Sequence, residues 1–538
     1  MISCLIMAAS IVKSGGSTKL RLFYNCATQS HSKTGVVKKC EHVQSFCTHR
    51  TNHQCAHDKS GDNVPTSKLP KKDTARYYGQ PAPHTHPHLL QNKEVTPGIG
   101  RLEYSHRRQR FIEEVIRRSQ RKHDAVTRHI VLIPSAVRQY MTNDIPYVFR
   151  QNTDFWYMCG FLEPDSVLLI EATRSKNITT LFVPPRNASR ELWDGARAGT
   201  DGALALTGVD QALSFDELEK YLKAYLKGSR NFGIWYDYVA PVNPTLHSNV
   251  IRKFIMEERQ AFVEQCRPIV QRQRLVKSPA EAELMRRTCQ IAAEAMTETM
   301  KFSYPQVDEH FLWAKMEYEC KIRGANYLAY PPVVAGGNRA NTIHYINNNQ
   351  LIQDGQLVLM DGGCELFGYN SDLTRTWPIS GSFSEPQLSL YEAVLEVQKS
   401  CLNLCTPGVS LDSLYKEMCL MTGEKLKQLG ILARDLSGND LLKAMYPYCP
   451  HHLSHYLGMD IHDCSDIPRS IPLEPGMVIT IEPGIYVPEK DQNAPEEFRG
   501  IGIRIEDDVL ITDNVAEVMT SGCPKHPDQI ERLQQTRQ

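Results

Sequence analysis

Apolar and polar residues follow two different periods in the first half of the chain. Between about residues 126 and 240, short β-like runs alternate with helical stretches; the runs cover 130–133, 166–170, 180–183 and 233–237, and a helical stretch covers 217–227. Strands repeat every two residues and helices every 3.6 residues, so the two element types can be told apart. Their alternation predicts a small α/β domain.

The second half begins with a well-marked helix start. Ser278 precedes Pro279, and Glu281 stands three residues after the serine, which is the pattern of a capping box with proline at the first helical position. A linker is therefore expected near 265–277. Further helices are predicted at about 307–323, 386–404 and 411–429, alternating with strands that end in acids. We expect an α+β domain in which helices cover one face of a curved antiparallel sheet and the acids occupy the other.

Two of these acids lie in the run 357–378. The apolar residues 357–360 end at Asp361, a glycine-containing loop follows, and Asp372 opens a second strand-like run. This pattern is typical of a β-hairpin with one aspartate on each arm. Two carboxylates held together repel each other unless a cation lies between them. The hairpin therefore predicts a metal site.

Three residues further along complete a set of metal ligands. His455 lies in a histidine-rich segment, and Glu482 and Glu506 each end an apolar or alternating run. Each has a structural alternative, because an acid at a strand end is commonly a turn residue and clustered histidines can form a polar loop. The shared pattern, with each acid closing an apolar run, favours metal binding. Four carboxylates and one imidazole suit manganese or another divalent ion rather than a thiolate zinc site, and five ligands suggest two ions.

Four segments carry a resemblance to a known family. They are AYPPVVAGGN at 329–338, LSHYLG at 453–458, ITIEPGIY at 479–486 and RIEDD at 504–508. Together with the order of the acids and the histidine, they resemble the pita-bread metallopeptidases. The resemblance is closest to the mitochondrial-type Xaa-Pro aminopeptidases (aminopeptidase P) and extends over roughly 77–524. None of the five ligand positions departs from the family pattern.

The resemblance implies the fold, the activity and the cofactor. It implies a pita-bread (creatinase/aminopeptidase) catalytic domain of the α+β class at 269–538, preceded by a smaller α/β amino-terminal domain at 71–268. It implies a hydrolase that removes the first residue from peptides with proline at the second position. Two divalent ions, assigned as manganese, would be held at the family's ligand positions by Asp361, Asp372, His455, Glu482 and Glu506. Glu482 would also act as general base toward a metal-bridging hydroxide.

Further site residues are implied by their positions in the same family. Those that would bind substrate and assist catalysis, by hydrogen bonding to the scissile carbonyl or the leaving group, are His344, His451, His462 and Arg504. Arg504 shares a strand face with Glu506, so it would orient carboxylates or a substrate carbonyl. Tyr486 and Thr374 would steady the ligands. Taken without the family, His344 would be interpreted as a half-buried loop histidine.

Composition and charge narrow the cellular context. The 61 basic and 61 acidic side chains balance, so binding to nucleic acid or to an anionic membrane is not predicted. No run approaches the roughly 20 apolar residues of a membrane span, so membrane insertion is not predicted either. Sixteen cysteines without a CxxC pair indicate reduced thiols rather than a disulfide framework. The first forty residues hold six lysines or arginines and no acid, which is typical of a mitochondrial transit peptide, and we assign residues 1–70 to this leader. The mitochondrion is the expected location, with the cytoplasm as a second.

Other functions on the same fold stay open at this point. A prolidase cleaves only dipeptides, and a methionine aminopeptidase usually lacks so large an amino-terminal domain. A pita-bread protein without catalysis would be a binding protein, but such relatives have lost metal ligands, and all five are intact here. Peptides with an N-terminal Xaa-Pro sequence are the expected partners, and a homodimer is expected by analogy with the family.

Overall fold

A computed structural model of the chain describes residues 76–123, 125–228, 231–257 and 261–536. The leader assigned to 1–70, and with it the transit-peptide prediction, lies outside these residues. Within the described ranges, no helix combines the length and the apolar character that crossing a lipid bilayer requires.

The amino-terminal part alternates strands with helices. Its elements are, in chain order, β1 (Glu94–Thr96), β2 (Ile99–Gly100), α1 (Arg101–Lys122), β3 (Arg128–Pro134), α2 (Thr153–Cys159), β4 (Val167–Thr173), β5 (Asn177–Val183), α3 (Ala188–Asp194), α4 (Gly199–Thr207), β6 (Gln211–Ser214), α5 (Leu218–Gly228), β7 (Phe232–Trp235), α6 (Pro244–Leu246), α7 (Arg252–Glu257), β8 (Phe262–Glu264) and α8 (Arg267–Leu275). Strands β3 to β8 form one sheet in the order β6-β5-β4-β3-β7-β8, in which β4 is antiparallel to both neighbours and the other pairs are parallel. This is the predicted α/β arrangement.

Alternation along the strands gives this sheet two apolar faces. On β3, Ile130 and Leu132 pack with residues of α5 and α7, whereas Val131 and Ile133 pack with residues of α1 and α2. Successive side chains of a strand point to opposite faces, so helices can cover both. The four predicted strands correspond to β3, β4, β5 and β7. The sequence did not indicate β6 and β8, because they are only 4 and 3 residues long and are not fully buried.

The carboxy-terminal part begins at the predicted helix start. Ser278 caps helix α9 (Pro279–Phe302): its hydroxyl accepts from the backbone N–H of Glu281 at 3.3 Å, and the Glu281 carboxylate accepts from the Ser278 N–H at 3.0 Å. The segment expected as a linker at 265–277 instead contains helix α8. It folds as a helix because Ile269, Val270 and Leu275 are buried on one side of it.

The remaining elements alternate helices with antiparallel strands. They are α10 (Glu309–Ile322), β9 (Tyr327–Leu328), β10 (Val333–Gly336), β11 (Leu357–Asp361), β12 (Cys364–Leu366), β13 (Tyr369–Asn370), β14 (Thr374–Pro378), α11 (Glu385–Leu404), α12 (Leu411–Gln428), α13 (Gly438–Met445), β15 (Val478–Ile481), β16 (Gly484–Val487), β17 (Ile501–Arg504), β18 (Asp507–Leu510), β19 (Glu517–Val518) and α14 (Pro527–Gln535). Helices α10, α11 and α12 confirm the predicted ones. Apolar residues of α9 to α12 share one buried core with β11, β14 and β15.

The predicted hairpin is present in a more elaborate form. Strands β11 and β14 are antiparallel, with Asp361 opposite Thr374. The chain between them forms a second, smaller hairpin from β12 and β13. Gly363 begins this inner hairpin, and a Cβ atom there would lie 1.7 Å from the carbonyl oxygen of Ser371, so only glycine fits. The inner hairpin returns the chain so that Asp372 lies beside Asp361.

Candidate metal centre

The four acids among the predicted ligand residues lie at or near the ends of paired strands, and His455 lies in the irregular segment before β15. Asp361 ends β11, Glu482 directly follows β15, and Glu506 separates β17 from β18. Backbone hydrogen bonds fix these positions: the Glu506 N–H donates to the carbonyl oxygen of Thr374 at 3.1 Å, and the Glu482 N–H donates to that of Leu453 at 3.0 Å. Paired strand ends are rigid, so the carboxylates are held in place before any ion binds.

The structure brings the five side chains together. Ligand atoms of Asp372, His455 and Glu506 all lie within 4.8 Å of one another. The His455 Nε2 atom is 3.4 Å from Asp372 Oδ2 and 3.6 Å from Glu482 Oε1. Asp361 joins the group through Tyr330, whose hydroxyl is hydrogen bonded to the carboxylates of both aspartates.

Burial and mutual repulsion raise the pKa values of three of the four carboxylates. Burial raises the pKa of Asp361, although the Arg504 guanidinium opposes it. Burial also raises the pKa of Glu482 to about 7. The pKa of Glu506 lies well above its ordinary value because of burial and the charges of Asp372 and Glu482. Carboxylates with raised pKa values favour a nearby positive charge.

His455 and Asp372 form an ion pair within the cluster, which supplies part of the positive charge that the carboxylates favour. Burial opposes charge on both partners, but the hydrogen bond and charge of His455 outweigh it and lower the pKa of Asp372. The same contact, together with the charge of Glu482, raises the pKa of His455 to about 9. Three further carboxylates remain crowded around this pair. A set of four buried or half-buried carboxylates and one imidazole therefore fits hard divalent cations such as manganese.

Arg504, the last residue of β17, contacts the acid cluster through its guanidinium. Its Nη2 donates to Asp361 Oδ2 at 2.6 Å, its Nη1 to the Tyr486 hydroxyl at 2.7 Å and its Nε to the Thr374 hydroxyl at 3.1 Å. The Thr374 hydroxyl in turn donates to Glu506 Oε2 at 2.6 Å. Arg504, Tyr486 and Thr374 thus form one network that orients two of the acids.

Two of the three predicted non-ligand histidines contact the ligand candidates. The ring of His462 is edge-on to that of His455, with centroids 4.5 Å apart. His451 Nε2 is 2.9 Å from the Tyr486 hydroxyl, and its Nδ1 is 3.9 Å from Glu482 Oε2. His344 is exposed. Burial is the main cause that lowers the pKa of His451 to about 4, and the charge of Arg504 adds to the effect.

Sequence reasoning missed two residues that contact the aspartates. Tyr330 was part of a family segment, but nothing indicated that its hydroxyl would reach both Asp361 and Asp372. Asp508 is buried on β18, and its Oδ2 accepts from the backbone N–H of Asp372 at 2.9 Å. The sequence marks Asp508 only as one of two consecutive acids, Asp507 and Asp508, that follow Glu506. It does not indicate which of the two faces the hairpin.

Comparisons with known proteins agree with this geometry. Residues 283–513 match the model of metallopeptidase family M24, and residues 104–235 match the aminopeptidase P N-terminal domain. Xaa-Pro aminopeptidase 3 of Homo sapiens is 50% identical over 476 residues, which are 87% of this chain and 92% of the human one. The mitochondrial intermediate cleaving peptidase 55 of Arabidopsis thaliana is 39% identical over 465 residues, covering 86% of this chain and 88% of its own.

A solved structure extends the similarity to the whole fold. Zinc-substituted Escherichia coli aminopeptidase P in complex with product superposes with a TM-score of 0.73 at 35% identity, covering 82% of this chain and 99% of the other. The fold class expected from the sequence, a pita-bread domain preceded by an aminopeptidase P amino-terminal domain, is confirmed. The shared fold, the matching family models and the acid-lined centre agree with one another. The chain therefore belongs to the Xaa-Pro aminopeptidases of metallopeptidase family M24.

Proposed function

We propose that the protein is an aminopeptidase that releases the first residue from peptides with proline at the second position, and that it uses two divalent ions, assigned as manganese. The observation that carries the proposal is the cluster of four buried or half-buried carboxylates and one histidine, in a chain 50% identical to a human Xaa-Pro aminopeptidase. A cluster of this kind is costly to bury without bound cations.

The five residues at the centre would hold the two ions. They are Asp361, Asp372, His455, Glu482 and Glu506. When bound, the ions would polarise the scissile carbonyl and lower the pKa of the attacking water. Glu482 is the proposed general base, because its carboxylate lies between the ligand His455, at 3.6 Å, and the non-ligand His451, at 3.9 Å. It can therefore take a proton on one side and pass it toward the substrate on the other.

The other residues would bind and orient the substrate. A peptide bond before proline lacks the N–H that many peptidases contact, so other groups of the substrate must be recognised. His344, His451 and His462 would hydrogen-bond the scissile carbonyl and the leaving group. Arg504 would keep Asp361 oriented. The substrate's free α-amino group would approach one of the ions, which would explain the removal of one residue at a time.

Cellular location, domain boundaries and assembly belong to the same proposal. We assign residues 1–70 to a mitochondrial leader, 71–268 to the amino-terminal domain and 269–538 to the catalytic domain. The mitochondrial name of the Arabidopsis relative supports the first location, and the cytoplasm is kept as a second. A homodimer is proposed by analogy with the family.

The decisive experiment compares matched peptides. The purified protein would be stripped, reloaded with manganese and given Xaa-Pro-Yaa, Xaa-Ala-Yaa, an Xaa-Pro dipeptide and Met-Ala-Yaa. We expect cleavage of the proline tripeptide only, and no cleavage by Asp372→Asn. Preference for the dipeptide would indicate a prolidase, and preference for Met-Ala-Yaa a methionine aminopeptidase. No cleavage with manganese, cobalt or zinc, by a folded and metal-bound protein, would indicate a binding protein.

A further inference from the structure

One loop near the centre is held by the amino-terminal half of the molecule. We call the segment from Gly458 to Cys464 the histidine loop, because it carries His462 next to His455. The loop belongs to no helix or strand. Cys464 at its end has a φ of 52°, in the left-handed region that a non-glycine residue adopts only under constraint. Its shape is therefore imposed by contacts and not by local preference.

Arg274 makes the strongest of these contacts. This residue of α8 has only 3% of its side chain exposed. Its Nη1 donates to Asp154 Oδ1 at 2.6 Å and its Nη2 to Asp460 Oδ2 at 2.7 Å, and it is also paired with Asp463. One guanidinium thus joins helix α2 to two acids of the histidine loop, on both sides of His462 in the chain.

A second arginine, Arg150, lies just before α2 and contacts the same loop. The Nη2 of Arg150 donates to the carbonyl oxygen of Met459 at 2.5 Å, and its Nε donates to Glu365 Oε2 at 2.6 Å. Thr153 donates from its hydroxyl to Asp460 Oδ1 at 2.7 Å. These groups hold the start of the histidine loop, whereas Arg274 reaches acids on both sides of His462.

His455 is fixed in a different way. Its backbone N–H donates to the Thr480 hydroxyl, and its carbonyl oxygen accepts from the Thr480 N–H, both at 3.1 Å. The N–H of Leu457 donates to the carbonyl oxygen of Val478 at 3.0 Å. Strand β15 therefore holds the metal-ligand candidate independently of α8. The two neighbouring histidines have separate supports.

We propose that Arg274 is a positioning residue, which sets the place of His462 in the substrate site and leaves metal binding untouched. The inference rests on the proposed peptidase function. Removal of the guanidinium would leave the buried Asp463, the half-buried Asp154 and the partly exposed Asp460 with too little positive charge, and their repulsion would displace the loop. Lysine cannot replace it, because a single ammonium lacks the planar fork that reaches several carboxylates at once.

The test combines Arg274→Lys with His462→Ala. We expect Arg274→Lys to lower kcat/KM for Xaa-Pro-Yaa by about 10- to 100-fold, with an unchanged manganese content per chain. In the His462→Ala background, the same substitution should cost less than about twofold. An equal loss in both backgrounds, or a parallel loss of manganese, would overturn the proposal.

A matched control lies on the same helix. Arg272 pairs with Glu474 at 2.7 Å, and both side chains are about half exposed, at 45% and 50%. Arg272→Lys should therefore leave kcat/KM and manganese content as in the wild type. A loss similar to that of Arg274→Lys would mean that any change in α8 disturbs the site.

Hydrogen exchange separates this proposal from the proposed function. If the wild type cleaves no peptide under any metal, the peptidase function fails. The amides of 458–464 should still exchange faster in Arg274→Lys than in Arg272→Lys, and those of 478–481 should not. If Arg274→Lys does not fold, Asp460→Asn removes one of the same contacts at a residue that is 39% exposed, and it should produce the same pattern. Unchanged exchange of the loop in the variant that folds would refute the positioning role.

Discussion

The metal-ligand candidates and the histidines around them are supported by different kinds of structure. The acids Asp361, Glu482 and Glu506 lie at strand ends, where backbone hydrogen bonds of the sheets hold them. His344 and His462 lie in loops, and buried charged side chains on neighbouring helices hold those loops. A charge cluster needs the rigid support, since acids that could move apart would relieve their repulsion without an ion. The loops hold groups that have to meet a substrate.

The loop that carries His344 illustrates the second kind of support. Glu309 of α10 is fully buried, and its carboxylate accepts from the N–H of Gly336 at 3.0 Å, from Arg339 Nε at 2.6 Å and from the Tyr345 hydroxyl at 2.9 Å. One acid thus joins the beginning of the loop to the residue after His344. Glu309 and Arg274 have the same arrangement with opposite charge.

The largest expected effect comes from removing a strand-end acid. Asp361→Asn keeps the size of the side chain but removes a ligand charge, so we expect loss of bound manganese and cleavage of Xaa-Pro-Yaa at the detection limit. Manganese should also stabilise the wild type, by about 2.7 kcal/mol at a concentration 100 times its dissociation constant. This stabilisation should shrink in the variant. Full manganese content with normal activity in Asp361→Asn would remove it from the ligand set.

The two kinds of support differ in how far the sequence reveals them. An acid that ends an apolar run is a local pattern, so Asp361, Glu482 and Glu506 were found without the structure. Tyr330 lies 31 and 42 residues from the two aspartates that it contacts, and Arg274 lies 186 residues from Asp460. Nothing near either residue in the sequence marks such a partner.

The same difference between local and long-range information explains which helices and strands the sequence failed to predict. The long amphipathic helices α11 and α12 were predicted within about one residue, because their periodic pattern extends over several turns. Helix α8 was missed because only 9 residues form it, and it is stabilised by packing between the two halves of the molecule. The inner hairpin of β12 and β13 was missed for the same reason. Short elements depend on tertiary contacts more than on local preference.

The second-largest loss of activity is expected when His344 itself is replaced and the contacts that hold its loop are left unchanged. His344→Ala should retain manganese, because His344 contacts none of the ligand acids in the described part of the chain. We expect kcat/KM for Xaa-Pro-Yaa to fall by about 10²- to 10⁴-fold, the usual contribution of a group that transfers or shares a proton in the transition state. His310→Ala, at an exposed histidine on α10, is the control and should behave as wild type. Loss of manganese in His344→Ala would place this histidine with the ligands.

A smaller effect is expected when only the support of that loop is weakened. Glu309→Gln keeps the shape of the side chain but removes the charge that holds Arg339. We expect a loss of about tenfold in kcat/KM, equivalent to about 1.4 kcal/mol, with manganese content unchanged. Glu317→Gln is the matched control, because Glu317 lies on the same helix and pairs with Lys321 at the surface. A Glu309→Gln enzyme as active as the wild type would show that the loop is held by its other contacts.

The smallest effect on catalysis is expected at His129, a buried histidine of β3 far from the acids in sequence and packed in the amino-terminal sheet. Burial lowers its pKa to about 4, whereas Asp372 and Glu482 raise that of His455 to about 9. Below pH 6.5 the unfolded chain takes up a proton that folded His129 refuses, so stability falls between about pH 6.5 and 4, by up to about 3 kcal/mol.

His129→Gln should therefore leave cleavage at neutral pH unchanged and flatten the acid side of the stability curve. Urea unfolding at pH 7 and pH 4.5, with manganese absent, measures the difference between wild type and variant. His123→Gln, at a histidine 34% exposed on its side chain, should keep the wild-type slope. Because the acids of the metal centre titrate in all three proteins, only the difference between them reports on His129. Equal acid loss in wild type and His129→Gln would mean that burial alone does not keep this histidine neutral.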